Sequence, residues 1–268
     1  MRQYVTKQNK ALLSELVRTD FKLRYQGSVL GYGWSLLRPL FLFGILYVIF
    51  ALVLKSSGGI PHFPVYLLLG IVLWTFFTDM TTQSLGSIVG RGDLIRKIRI
   101  PRWIIVFSSS LLALVNLGLN LIIVAIVMVV NGVHLQLSIV LLPFLLLEIY
   151  LLALGVSLFL SAAFVKFRDI SYIWEVLLQA AFYLTPILYA MSIITRPGIQ
   201  KVMLLNPMAQ AIQDARYVSV THDYRVVTIS RVFDGGWYMY VPFAVVILVL
   251  IGGVLYFKSQ ADSFAENL

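Results

Sequence analysis

Of 268 residues, 60% are hydrophobic and only 12% are charged, about half the charged share of a soluble domain, so the chain belongs in a membrane. Lys and Arg exceed Asp and Glu by 21 to 12; no nucleic-acid-binding motif accompanies that excess, so its meaning lies in where it sits along the chain. Cysteine is absent, which excludes a disulfide framework and a thiolate metal site.

The first 34 residues are too polar for a secretory signal peptide. From Lys10 to Gln26 the pattern is helical, with Leu12, Leu13, Leu16, Val17 and Phe21 on one side and Ser14, Glu15, Arg18 and Lys22 on the other. This predicts an amphipathic helix lying in the interface plane, basic residues toward anionic headgroups. Asp20 and Arg24 fall on the apolar arc, four apart with the acid first. Two readings stay open: they lock each other, or they face a polar conduit. Gly27, Gly31 and Gly33 then let the chain turn toward the membrane normal, Trp34 suits the headgroup level, and Arg38 snorkels to it.

A spanning helix needs about 20 apolar residues. Six segments qualify, near 35–54, 64–87, 103–130, 138–164, 170–190 and 238–257, with Asn131-Gly132-Val133-His134 as the turn between the third and fourth. With both termini in the cytoplasm, fifteen of the 21 Lys and Arg residues fall inside; six fall outside, five of them in the long loop 191–237. Even parity and the positive-inside bias agree.

The loop IVGRGDLIRKIRIPR, residues 88 to 102, concentrates five basic residues around one acid, which suits an inner-face anchor. The outer stretch 185–219 has Pro186, Pro197 and Pro207 with short apolar runs between them. Such breaks predict helices that dip partway into the membrane, buried in protein or lining water; the plainer alternative is a surface loop. Asp79, Glu148 and Glu175 are ionisable groups inside predicted spans and therefore functional candidates. Asp79 and Glu175 sit near span ends, where structural pairing is the simpler reading; Glu148 is deeper, with no partner near it in sequence. Most intramembrane aromatics read as lipid-facing bulk or interfacial belt.

The run LRYQGSVLGYGWSLLRP, with Arg24-Tyr25-Gln26-Gly27-Ser28, Leu30-Gly31, Trp34 and Pro39, resembles the signature of ABC-2 type transport permeases that export polysaccharides, the group of O-antigen, capsule, teichoic-acid and galactan exporters. The resemblance extends to Leu205-Asn206-Pro207-Met208 before the last span. It implies an all-α polytopic membrane protein with an interfacial helix and elbow over 1–34. Six transmembrane helices over 35–258 would follow, with a cytoplasmic coupling loop at 88–102, short re-entrant gate helices within 191–237, and a cytoplasmic tail at 259–268.

The same resemblance implies that Leu94, Ile95 and Ile98 are apolar knobs, and Arg96, Lys97 and Arg99 a charged rim, docking in a cleft of an ATPase. It also makes Asn206, Pro207 and Met208 part of an external gate. The sequence has no G-x-x-x-x-G-K-[ST], so no P-loop is available; ATP and Mg would be bound by a separate ATPase, two copies serving two copies of this chain. The cargo would be a lipid-linked polysaccharide, its diphosphate met by Lys22, Arg24, Tyr25 and Arg38. Phe43, Tyr47 and Phe50, spaced i, i+4, i+7 on one helical face, and Tyr183 next, would stack on sugar rings along the conduit.

The expected setting is the bacterial plasma (inner) membrane, multi-pass, with membrane lipids and no nucleic acid as surroundings. Rival readings are an ABC-2 exporter of a small molecule or drug and an intramembrane enzyme acting on lipid-linked sugars. The enzyme would gather acid–base or metal groups at one mouth; here His62, His134 and His222 all fall outside, with His222-Asp223 an isolated pair.

Overall fold

The computed structural model of the chain describes residues 7–25, 31, 33–53, 59–93, 101–134, 136–261 and 264. Every regular element among them is helical. The first, α1 (Lys7–Tyr25), is the expected amphipathic helix. Beyond it Gly31 takes φ 47°, a left-handed conformation open to glycine at little cost. The next helix, α2 (Gly33–Tyr47), contains Pro39 and runs on as a π-helical stretch, Val48–Val53.

The centre of the molecule is α3 (Phe63–Leu85). Its most apolar 18-residue window is 78% buried, against 33% for α4 (Trp103–Val130) and less for α5 (Leu142–Lys166) and α10 (Val241–Ala261). α4, α5 and α2 all pack on α3. The outer helices leave long apolar faces uncovered, such as Ile122, Ile126 and Val129 on α4 and Ile247, Leu248 and Leu255 on α10, the pattern of helices whose far side meets hydrocarbon.

Local sequence explains the joints. α4 ends in a Schellman motif: Gly132 has φ 67°, its N–H bonds the Val129 carbonyl at 3.1 Å, and the Val133 N–H bonds the Met128 carbonyl at 3.0 Å. The predicted turn at Asn131-Gly132 is therefore present. Packing of α5 against α10 depends on two glycines: a Cβ on Gly155 would lie 2.7 Å from the Leu250 Cα, and one on Gly253 would overlap the Gly155 carbonyl. Small residues let helix backbones approach in this way within a membrane. At the end of the bundle where α3 terminates, Ile88, Ile105, Leu158, Phe257 and Phe264 form a second, smaller core.

Among the described residues four helices are long and apolar enough to cross a bilayer, and they match the predicted spans near 64–87, 103–130, 138–164 and 238–257. The predicted fifth span, 170–190, is cut short. α6 (Ile170–Leu184) has 15 residues, about 22 Å of helix against a hydrocarbon core of about 30 Å. The cause is Pro186: the residue before a proline is driven out of the helical region, and Thr185 is extended, with ψ 136°. The first predicted span, 35–54, is likewise split between α2 and its π-helical continuation. After α6 come three short helices, α7 (Pro197–Leu204), α8 (Pro207–Ser219) and α9 (Ile229–Phe233).

Candidate functional site

At the end of the bundle that the charge bias assigns to the cytoplasm, α1 lies along α4. Leu13, Val17 and Phe21 face Leu111 and Val115 around a cavity of about 480 Å³, so the apolar arc of α1 is turned partly onto protein. Asp20 sits on that arc and is ion-paired with Arg91, in the short 3-10 turn Val89–Arg91 that follows α3. Arg91 also donates through Nη1 to Ser108 Oγ on α4 at 3.0 Å. Asp20 thus has a partner 71 positions away, while the expected Asp20–Arg24 pairing involves a side chain outside the described residues. Asp20, Gln83, Ser87, Arg91 and Ser109 line a polar hollow of about 510 Å³ there.

Lys22 and Arg38 are exposed and free to meet anionic headgroups. Arg24 and Tyr25 close α1, and their side chains lie outside the described residues, as do Leu94, Ile95, Arg96, Lys97, Ile98 and Arg99 entirely. The far side of that loop is held where Arg102 donates to the Ala261 carbonyl and lies over the Phe264 ring.

On α2, Phe43 and Tyr47 stack, with ring centroids 5.7 Å apart, as their i, i+4 spacing requires. Both, with Phe50, are half-buried against the core around α3. Tyr183 is exposed near the end of α6 and touches Phe182, whose ring meets Trp74 of α3. Among the described residues no ring contact joins Tyr183 to the α2 aromatics.

At the opposite end, α7 and α8 are joined at Leu205 and Asn206. Asn206 is the N-cap of α8: its side chain accepts the Met208 N–H at 3.0 Å, and Pro207 takes the first helical position, where its missing N–H costs nothing. α8 is a buried helix. Met208 to Gln213 are all inaccessible, packed against α3, α5 and α10.

Two polar assemblies hold α8, and neither was visible as a motif. Arg216 is fully buried; it donates from Nε to the Tyr66 carbonyl at 2.9 Å, from Nη1 to Pro186 at 2.6 Å and from Nη2 to Ile187 at 2.7 Å. Tyr66 also donates its hydroxyl to Gln213 Oε1 at 3.0 Å. In the second assembly Gln210 donates to Asp214 Oδ2 at 2.7 Å, and Glu148 of α5 lies alongside. The Arg216 signal existed in the sequence only as a cation five positions beyond Ala211, in a stretch to Val218 that is otherwise mostly apolar.

These features are those of a polytopic membrane protein whose first helix packs along the bundle and whose chain beyond α6 is punctuated by prolines, and comparison with known proteins agrees. The chain is 29% identical over 262 residues to the O-antigen export system permease protein RfbA of Myxococcus xanthus, covering 97% of this chain and 96% of that protein. It is 29% identical over 260 residues to the protein of the same name from Klebsiella pneumoniae, covering 96% and 95%. The profile of the ABC-2 type transporter family matches residues 11–219, from α1 through α8, and the chain belongs to that family.

Proposed function

We propose that this chain is the membrane subunit of an ATP-driven exporter that carries a lipid-linked polysaccharide, a polyprenyl-diphosphate-linked glycan such as O-antigen, teichoic acid or galactan, from the inner to the outer face of the bacterial plasma membrane. The observation that carries the reading is likeness along almost the whole chain to permeases named for O-antigen export. Two copies of the chain work with two copies of a separate ATPase, which binds ATP and Mg. Both termini lie in the cytoplasm, and α2 with its π-helical extension and α6 complete six crossings.

The geometry supports the division of labour. Lys22 and Arg38, both exposed, support positive charge at the inner mouth, where a diphosphate would arrive, with Arg24 adding charge and Tyr25 a hydroxyl donor by sequence. α6 buries only Leu178 in its own chain and exposes Tyr172, Val176 and Leu177; a second copy is the natural cover for such a face. Phe43, Tyr47, Phe50 and Tyr183 serve as the stacking surface for sugar rings once two copies meet. Residues Leu94 to Arg99 dock the ATPase, and Asn206, Pro207 and Met208 begin the gate helix.

The test is co-purification followed by reconstitution. A P-loop ATPase accompanies the chain, and its turnover rises when the lipid-linked glycan is present. Glycan export by the chain alone, or ATPase turnover indifferent to the glycan but responsive to a small hydrophobic compound, would overturn the proposal.

A further inference from the structure

The cavity of about 480 Å³ between α1 and α4 has a charged rim. Leu13, Val17, Phe21, Leu111 and Val115 make its walls apolar, and Ser14 and Arg18 complete the lining. On a helix of about 100° per residue, Ser14 and Arg18 flank the Leu13, Val17 and Phe21 face on the side away from Asp20. Arg18 is exposed, and among the described residues no hydrogen bond or ion pair reaches it. Lys22, one turn further on, is exposed as well. The acid on this flank, Glu15, stands about 60° further round the helix, and Asp20 on the opposite flank is committed to Arg91.

Walls this apolar give water too few polar partners to stay, and a void would forfeit the contacts that the walls could make. Hydrocarbon is the filler at hand. Leu111 and Val115 belong to a strip along α4, Leu111, Val115, Gly118 and Ile122, spaced i, i+4, i+7, i+11 on one face. Val115, Gly118 and Ile122 are exposed, so the cavity runs out onto the lipid-facing side of α4 instead of ending in protein. A Cβ at Gly118 would meet nothing within 4 Å, which leaves the strip unobstructed. The strip covers about 16 Å of helix, close to one leaflet's share of a hydrocarbon core of about 30 Å.

We propose that this cavity is a phospholipid site: one acyl chain fills it and follows the α4 strip, and the phosphate of an anionic headgroup is held by the Arg18 guanidinium with the Ser14 hydroxyl beside it. A guanidinium presents a planar fork of donors that matches the oxygens of a phosphate. Lys22 adds a second positive charge nearby, so a headgroup of net negative charge, such as phosphatidylglycerol, is preferred to a zwitterionic one that brings a cation of its own. The lipid is then a removable part of the joint between α1 and α4. The inference needs only that the chain sits in a bilayer and is independent of what it carries.

The chain has no cysteine, so a single bimane-labelled cysteine reports on one position. The whole chain carrying Leu111→Cys is reconstituted in vesicles of phosphatidylcholine and phosphatidylglycerol, with bromine placed on the acyl chains of one lipid at a time. Quenching by brominated phosphatidylglycerol relative to brominated phosphatidylcholine gives the preference of the site. We expect about fivefold at Leu111→Cys, the size of one basic residue's attraction for an anionic headgroup, and less than about twofold at a general lipid contact. Leu255→Cys is that general contact, lipid-facing on α10 and one turn from Lys258. Arg18→Gln should bring the Leu111 preference down to the Leu255 value while both lipids still quench, and Val17→Phe, which fills the cavity, should lower quenching by both. Equal quenching by the two lipids at Leu111, or a preference that survives Arg18→Gln, would overturn the site. So would an absence of quenching by either lipid, which would show that protein covers the cavity, or relief of quenching by a small amount of lipid-linked glycan, which would make the cargo its occupant.

Discussion

The Arg216 guanidinium lies over the Tyr66 ring, 3.7 Å from its centroid, while its N–H groups reach the carbonyls of Pro186 and Ile187, just past the end of α6, and of Tyr66 on α3. One side chain thereby ties three segments together: α8, the central helix α3 and the chain leaving α6. A charged group buried in this manner persists because each of its three nitrogens donates a hydrogen bond, and the cation–π contact adds to that.

Replacing Arg216 by Lys keeps the charge but loses the planar fork. We expect Arg216→Lys and Arg216→Met each to destabilise the folded permease by about 3 kcal/mol, read as a lower melting temperature of the purified complex. A variant that melts with the unmodified protein would show that the three carbonyls are satisfied without the guanidinium.

The cage leaves no room on α3. A Cβ on Gly70 would overlap Arg216 Nη2 and lie 2.9 Å from its Cζ. Gly70→Ala should therefore reproduce the Arg216 defect although alanine is the better helix former, and combining it with Arg216→Lys should give less than the sum of the two losses. Simple additivity in that cycle would separate the two sites.

Asp20 and Arg91 join the interfacial helix to the turn after α3. The pair is partly exposed, so its static contribution is about 1 kcal/mol or less; under the proposed function its part would be in transmission from the ATPase. Asp20→Asn and Arg91→Gln should each lower ATP-coupled export with little change in melting temperature, and Asp20→Arg with Arg91→Asp should restore part of it. Export that stays normal in both single variants would place the coupling elsewhere.

Gly155 and Gly253 set the α5–α10 distance. Gly253→Ala should force the helices apart and cost about 2 kcal/mol, in the range for overpacking a close contact. Gly252, where an added Cβ would meet nothing within 4 Å, is the control: Gly252→Ala should be neutral or slightly stabilising by the same measurement.

Much of this organisation is local chemistry, and local chemistry is readable from residues alone. The central and outer long helices follow from runs of apolar residues long enough to cross hydrocarbon. The amphipathic α1, the Schellman turn at Gly132 and the Asn206-Pro207 start of α8 each depend on neighbours within a few positions. Hydropathy overran α6 because a window average passes over one proline, whereas the backbone at Thr185 does not.

Partners far apart in the chain were decided only by the tertiary structure. Arg216 meets Tyr66 across 150 positions and Asp20 meets Arg91 across 71, and Glu148 meets Gln210 and Asp214 because α5 and α8 are rotated to face one another. Composition placed these polar groups in an apolar setting and so required that something satisfy them. Which group does so depends on helix rotation and on close approach at small residues such as Gly70, and those are set by packing between helices rather than by the order of residues within one.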